Sequence, residues 1–356
     1  MQKLDSSVLF YMRGDSYYDI SPNSVASVSV NGYPSVVTDK GPALYFNGTS
    51  NSITVTGLNF NSILSNDYTI EFEAMQVSRI QSYPTPFSIV YGDGAYETQR
   101  SLYSHWKADT VLSFYDSRNI EYQYTNGALN RWIHVARVRQ GNTLKTYVDG
   151  TLLYTVTDAS TLYTNANRLY LAGLSNSITG TLFNGYVRNV MISNKVKYTS
   201  EFTPTYEQST SVSIDNVRIE ENKVLFEVNK LSQRETIQGI DVILNGKVVQ
   251  SYTSVGTYEC QLDGINNIGS HNIEIKVRLN GVATISETLT HVVKVDIQKI
   301  ESNSSFEEIN EKLVELKNVY TTLSDRLFYI LTSKNITIAD DERKLSSLIE
   351  KVNELD

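Results

Sequence analysis

Glu71 and Glu73 are the residues best spaced for bond-breaking chemistry. They stand two apart in Tyr68-Thr69-Ile70-Glu71-Phe72-Glu73-Ala74, a run that alternates with period two. On a strand, side chains two apart share a face. Glycoside hydrolysis needs two carboxyl groups about 5–9 Å apart across a cleft. The competing reading, a solvent-facing strand edge, is the one adopted. His105, His134, His271 and His291 are scattered along the chain, and their spacing suggests no Ser-His-Asp or Cys-His order. No glycine-rich phosphate loop is visible. Cys260 is the only cysteine, which rules out an intrachain disulfide and a cysteine zinc site. Within Tyr258-Glu259-Cys260-Gln261-Leu262 it reads as a buried strand residue.

Binding chemistry is better represented. The chain has 24 tyrosines, and 19 of them precede residue 206. A tyrosine joins a flat apolar face to a polar tip, which suits half-buried strands as well as binding faces. Sugars present C–H faces to aromatic rings and hydroxyls to paired polar groups. Tyr96, Tyr103, Trp106 and Tyr115, with Asp93 and Arg100, form the expected carbohydrate-binding set. The alternative for Trp106 is that it plugs the edge of the fold.

These residues must be positioned by strands. Residues 1–205 show short alternating runs punctuated by Asn31-Gly32, Asn47-Gly48, Asn126-Gly127, Asp149-Gly150 and Asn184-Gly185, all hairpin-turn pairs. Many strands with almost no helix predict a sandwich or jelly roll. Residues 206–295 carry about seven further strands, with turns at Asn245-Gly246 and Asn280-Gly281. They predict an immunoglobulin-like or fibronectin-III-like second sandwich without the Cys…Trp…Cys hallmark of antibody domains. Residues 296–356 change period. Phe306, Ile309, Leu313, Leu316, Tyr320, Leu323, Leu327 and Ile330 keep alternating steps of three and four, an a/d seam. Ser305 and Glu308 form a capping box at its start. A second short helix follows Asp340. The seam predicts a dimeric or trimeric coiled coil; the alternative is an intramolecular helical hairpin.

The net charge is −8. Residues 1–205 are balanced at 15 acidic and 15 basic, whereas 296–356 hold 13 acidic against 8 basic. No basic patch supports nucleic-acid binding or an anionic membrane surface. No run approaches the ~18 apolar residues of a membrane span. The first residues lack the pattern of a signal peptide, so export is expected through particle assembly and lysis.

The first two hundred residues resemble laminin-G-like domains of the concanavalin A-like type. Trp132-Ile133-His134-Val135-Ala136, a short turn, and a strand ending in Tyr147-Val148-Asp149-Gly150 look like the central hairpin. Ala43-Leu44-Tyr45-Phe46-Asn47-Gly48 resembles an early strand, and Phe183-Asn184-Gly185-Tyr186-Val187 the closing one. The resemblance implies a buried Trp132 and a packing role for His134. It also implies loop calcium in some members, for which Asp93 and Asp116 are the candidates; a simple turn aspartate is the alternative. Jelly-roll glucanases carry Glu-x-Asp-x-x-Glu, but here Ala74-Met75-Gln76 follows Glu73. The helical tail is similar to terminal segments of phage tail-fibre and baseplate proteins. Together these resemblances imply a non-enzymatic virion protein without an obligate cofactor. Its expected partners are a host-surface glycan, other virion proteins and further copies of itself. The rivals are a capsid or tail decoration protein, a bacterial adhesin and a glycosidase.

Overall fold

The computed structural model describes all residues except 1, 24, 39–40, 92–99, 117–119, 158–165, 175–179, 206–208, 266–268, 280–283, 294–305 and 334–356. Two antiparallel sheets form the N-terminal half. One has eight strands, in the order Thr151–Val156, Thr143–Val148, Ile133–Gln140, Tyr68–Gln76, Asn184–Ser193, Ala43–Asn47 and Ser35–Val37, with Val8–Met12 also paired to Asn184–Ser193. The other has seven, in the order Glu121–Tyr124, Val111–Tyr115, Arg100–Ala108, Phe87–Val90, Arg168–Leu171, Ser52–Thr56 and Ser27–Asn31. The layers meet through alternate residues, as a two-residue period requires. Ile70, Phe72 and Ala74 point inward from the central strand, and Phe72 stacks on Phe87 of the opposite sheet at 4.9 Å. A short helix, α1 (Phe60–Ser65), caps one end; the Asn59 side chain accepts from the Ser62 amide.

Turn chemistry explains the hairpins. Asp149 and Gly150 both have positive φ, as does the pair Asn245-Gly246, matching the tight turn that follows right-handed strand twist. Gly150 is irreplaceable for a second reason, because a Cβ there would lie 1.7 Å from the Phe202 carbonyl oxygen. Asn184-Gly185 is not a turn. It opens the ten-residue strand Asn184–Ser193, where a Cβ on Gly185 would lie 2.2 Å from the Met75 carbonyl oxygen. Its glycine serves close strand approach rather than chain reversal. Asn280-Gly281 lies outside the described residues.

A strap, residues 194–205, crosses the outer face of the eight-stranded sheet. Tyr198 and Phe202 stack at 3.6 Å and pack against Ala136, Val138 and Tyr147. The chain then enters a second pair of sheets. Three strands (Val212–Glu220, Lys223–Lys230, Gly256–Gln261) face four (Lys247–Tyr252, Ile237–Leu244, Gly269–Leu279, Thr284–Val293) around a separate core that includes Val224, Phe226, Ile240, Val242 and Ile275. Cys260 is buried there, and burial raises its thiol pKa. A 28-residue helix, α2 (Phe306–Ser333), follows. No helix among the described residues is long and apolar enough to cross a membrane.

The two sandwiches meet at a buried ion cluster. Arg13 donates to Asp15 at 2.7 and 2.9 Å and to Glu235 of the second sandwich at 2.5 Å, with all three side chains 1% exposed or less. Glu235 also accepts from the Ser211 amide at 2.7 Å and the Thr210 hydroxyl at 3.0 Å. Residues Gln2–Lys3 pair in parallel with Ser209–Thr210, and Arg234 donates to the Ala26 carbonyl at 2.8 Å. Removing one member of a buried ion cluster strands the others without compensation. Arg13→Ala is therefore expected to cost about 3–5 kcal/mol. In calorimetry of the full chain it should split a joint melting transition of the two sandwiches into two.

Candidate functional site

The expected carbohydrate-binding residues do not share one face. In the strand Arg100–Ala108, Tyr103, His105 and Lys107 point outward, whereas Leu102, Ser104 and Trp106 point inward. Trp106 has 0% exposure, donates its indole N–H to the Gly127 carbonyl at 2.8 Å and stacks on Phe183 at 5.5 Å. Its ring has no face for a sugar, so the expectation for Trp106 is corrected: it belongs to the core. Positions 103 and 106 have opposite parity on a strand and cannot both face a ligand. The other tryptophan is reversed as well. Trp132, expected in the core, is half-buried, with the Arg188 guanidinium 4.1 Å above its ring.

Tyr103 and Tyr115 are brought together. They are cross-strand partners whose rings stack at 4.6 Å, with planes 3° apart. His105 stacks on Tyr115 at 5.2 Å, and Tyr83 meets His105 edge-on at 5.1 Å. His105 and Tyr83 are members that sequence reading missed; the parity of Tyr103 was the available signal for His105. Beside the rings, the Glu121 carboxylate accepts from Lys107 at 2.9 Å, Ser113 at 2.7 Å and Gln123 at 2.9 Å. Burial works to raise the Glu121 pKa, but these three donors prevail and hold it down at about 2. Burial, and then the Glu121 carboxylate alongside, push the Tyr115 phenol pKa up. Tyr103 is buried beneath its neighbours, Tyr115 is half-buried, and Tyr83 is 53% exposed. The outer face of the seven-stranded sheet thus carries an aromatic platform in which Tyr83 and the half-buried Tyr115 reach the surface over the buried Tyr103 and His105, with a charged and amide rim. Arg100 lies on this strand; Asp93 and Tyr96 lie outside the described residues.

Asp116 is buried. Among the described residues no three His, Cys, Asp or Glu side chains converge on a metal position.

Glu71 and Glu73 are not at a solvent-facing edge. They lie on the central strand Tyr68–Gln76, 6% and 2% exposed, beneath the strap. Glu71 accepts from Tyr198 at 2.7 Å, lies 3.3 Å from His134 Nε2 and pairs with Lys197. Glu73 accepts from Arg188 and Asn189, each at 2.7 Å. Arg188 and Asn189 are consecutive, so a regular strand would send them to opposite faces. A bulge between Arg188 and Met191, with Asn189 at φ 51°, turns both onto Glu73. The space left beside the pair is only 60 Å³, far below the ~300 Å³ at which ligand pockets begin.

Residues 46–201 match the family model described as the concanavalin A-like lectin/glucanases superfamily. The N-terminal sandwich is therefore a laminin-G-like domain of the concanavalin A-like type. Among solved structures, the chain is similar to the binding domain of botulinum neurotoxin serotype D, at 12% identity and a TM-score of 0.44 over 76% of this chain and 72% of that one. It is similar to the botulinum neurotoxin DC binding domain in complex with rat synaptotagmin II, at 13% identity and 0.42 over 79% and 73%. It is also similar to domain 4 of AbnA, an extracellular arabinanase of Geobacillus stearothermophilus, in complex with arabinotriose, at 18% identity and 0.38 over 52% and 92%. Identities this low leave ligand and partner unassigned. No curated protein matches the sequence significantly.

The Glu71 cluster generates a pH dependence. Burial raises the Glu71 pKa, but the hydrogen bond from His134 and the Lys197 charge outweigh it and bring it from 4.5 to about 2. A carboxylate depressed in the folded state stabilises above its unfolded value, and that contribution fades as pH falls from 4.5 towards 2. Glu71→Gln should be less stable than the parent at pH 7. The gap should close on acidification, as read by urea midpoints across a pH series.

Proposed function

We propose that the chain is a non-enzymatic virion protein of the phage tail-fibre or baseplate type. Its laminin-G-like domain, residues 1–205, recognises a glycan on the host surface. Residues 206–295 form a fibronectin-III-like spacer, and residues 296–356 gather copies or dock onto the particle. The observation that carries the binding role is the accessible Tyr83 and Tyr115 rings, backed by the buried Tyr103 and His105, beside Lys107, Glu121 and Gln123. Aromatic rings answer the C–H faces of sugars, and the rim answers their hydroxyls.

Three further observations support this reading. Glu71 and Glu73 are fully engaged under the strap with no room for a sugar ring, which favours binding over hydrolysis. The strand order of the second sandwich is first-second-fifth in one sheet and fourth-third-sixth-seventh in the other, which suits a fibronectin-III-like spacer. On α2, the seam residues Tyr320 and Leu323 are 47% and 38% exposed. Such apolar positions at heptad spacing suit a partner helix from another copy. The side chains of Phe306, Ile309, Leu313, Leu316, Leu327 and Ile330 lie outside the described residues, as does the second short helix. Clustering would raise weak single-site sugar binding through effective concentration.

Full-length protein on a glycan array and on host cells should bind, and Tyr83→Ala with Lys107→Ala should weaken that binding about tenfold, or ~1.4 kcal/mol. A chain that binds neither would instead support a decoration protein making protein contacts only. Release of reducing ends from polysaccharide, lost in Glu71→Gln, would favour the glycosidase.

The solution mass should correspond to a dimer or trimer, and Leu323→Glu should shift it to monomer. A parent chain that stays monomeric at micromolar concentration counts against gathering through α2.

A further inference from the structure

A groove of 1060 Å³ opens at the α1 end of the first sandwich. That is at the upper limit of the ~300–1,000 Å³ usual for small-molecule sites. It is bounded by α1, by the turn at Gly141-Asn142, by Asn194 at the start of the strap and by Leu9 and Val25. None of its lining residues belongs to the aromatic platform.

Its chemistry is neutral and amide-rich. Five of the fifteen lining residues are asparagines. Asp67 and Arg139 are the only charged ones, and they cancel. Both are already engaged. Arg139 is 4% exposed and donates to the Leu64 carbonyl at 2.6 Å and the Gly141 carbonyl at 3.0 Å. Asp67 accepts from the Gly141 amide at 2.7 Å. The two charges therefore brace the turn against the end of α1 and build a rigid wall.

Asn142 and Asn194, both exposed, line the remaining space beside Val25, which is 61% exposed. A carboxamide offers an acceptor and two donors together. That set matches adjacent hydroxyls, which also donate and accept. Among the described lining residues, phosphorylated or carboxylated ligands would find no spare cation, and amines no spare anion. Leu9 and Val25 supply apolar contact for ring C–H groups. We propose that this groove is a second carbohydrate site, which takes a neutral oligosaccharide several rings long. The proposal rests on the glycan-binding reading of the domain but not on the aromatic platform.

The test uses the full chain and five neutral trisaccharides: maltotriose, cellotriose, mannotriose, galactotriose and triacetylchitotriose. Saturation-transfer NMR should show at least one of them binding. Asn142→Ala combined with Asn194→Ala should weaken that binding about thirtyfold, or ~2 kcal/mol, as the loss of two hydrogen-bonding groups implies. The thermal midpoint should not move, because both side chains are exposed. Transfer from none of the five overturns the groove site, and so does transfer that survives the double variant. If surviving transfer is lost in Lys107→Ala, the aromatic platform carries the binding, and the glycan reading stands without the groove. Absence of host-cell binding by the parent chain would remove the glycan reading itself.

Discussion

Arg13 carries a permanent positive charge at a position with almost no access to water. An isolated charge at that depth would be strongly unfavourable. It is tolerated because two carboxylates meet it, Asp15 from its own neighbourhood and Glu235 from the second sandwich. Glu235 in turn is satisfied by Ser211 and Thr210, at the entry to that sandwich. None of these groups is content without the others, so the junction behaves as one unit. The first sandwich is thus tied to the second through buried charge.

The same network runs back to the central strand. The Ser209 amide donates to the Tyr11 hydroxyl, which donates to Asn189, which donates to Glu73. Glu73 sits two residues from Glu71, where Lys197 and Tyr198 pin the strap. Carboxylates that look like a catalytic pair along the sequence therefore belong to the joinery of the molecule. The Glu71 carboxylate holds the strap, and the strap is the segment that leads into the junction.

Local rules read well from sequence where neighbours decide the outcome. Asp149-Gly150 and Asn245-Gly246 are tight turns because two successive positive-φ positions favour those residues. The alternation at Tyr68–Ala74 and Ile133–Arg139 gave strands in both cases. Where distant chain meets chain, sequence was silent. Glu71 and Glu73 are buried by a strap more than 120 residues away, and Glu235 reaches Arg13 across 222 positions. No local pattern encodes either contact. Asn184-Gly185 misled for a related reason, since Met75 and Phe183, not a turn, dictate its glycine.

The two tryptophans show where a local rule was available and outweighed by composition. A polar, aromatic neighbourhood made Trp106 look exposed, yet strand parity had already separated it from Tyr103. The same parity places His105 with Tyr103 and, through cross-strand pairing, with Tyr115. A binding face on a sheet is drawn from every second residue of adjacent strands, so its members are scattered in sequence while their core-facing neighbours lie between them. Aromatic richness marks the region, alternation decides which side of the sheet each ring takes, and burial then decides which of them a ligand can reach. On this sheet it selects three ringed side chains and a lysine on one side and gives the largest ring, Trp106, to the core. Such a face gains rigidity from the core packing directly behind it, because each outward side chain is held by a backbone whose inward neighbours are fully buried.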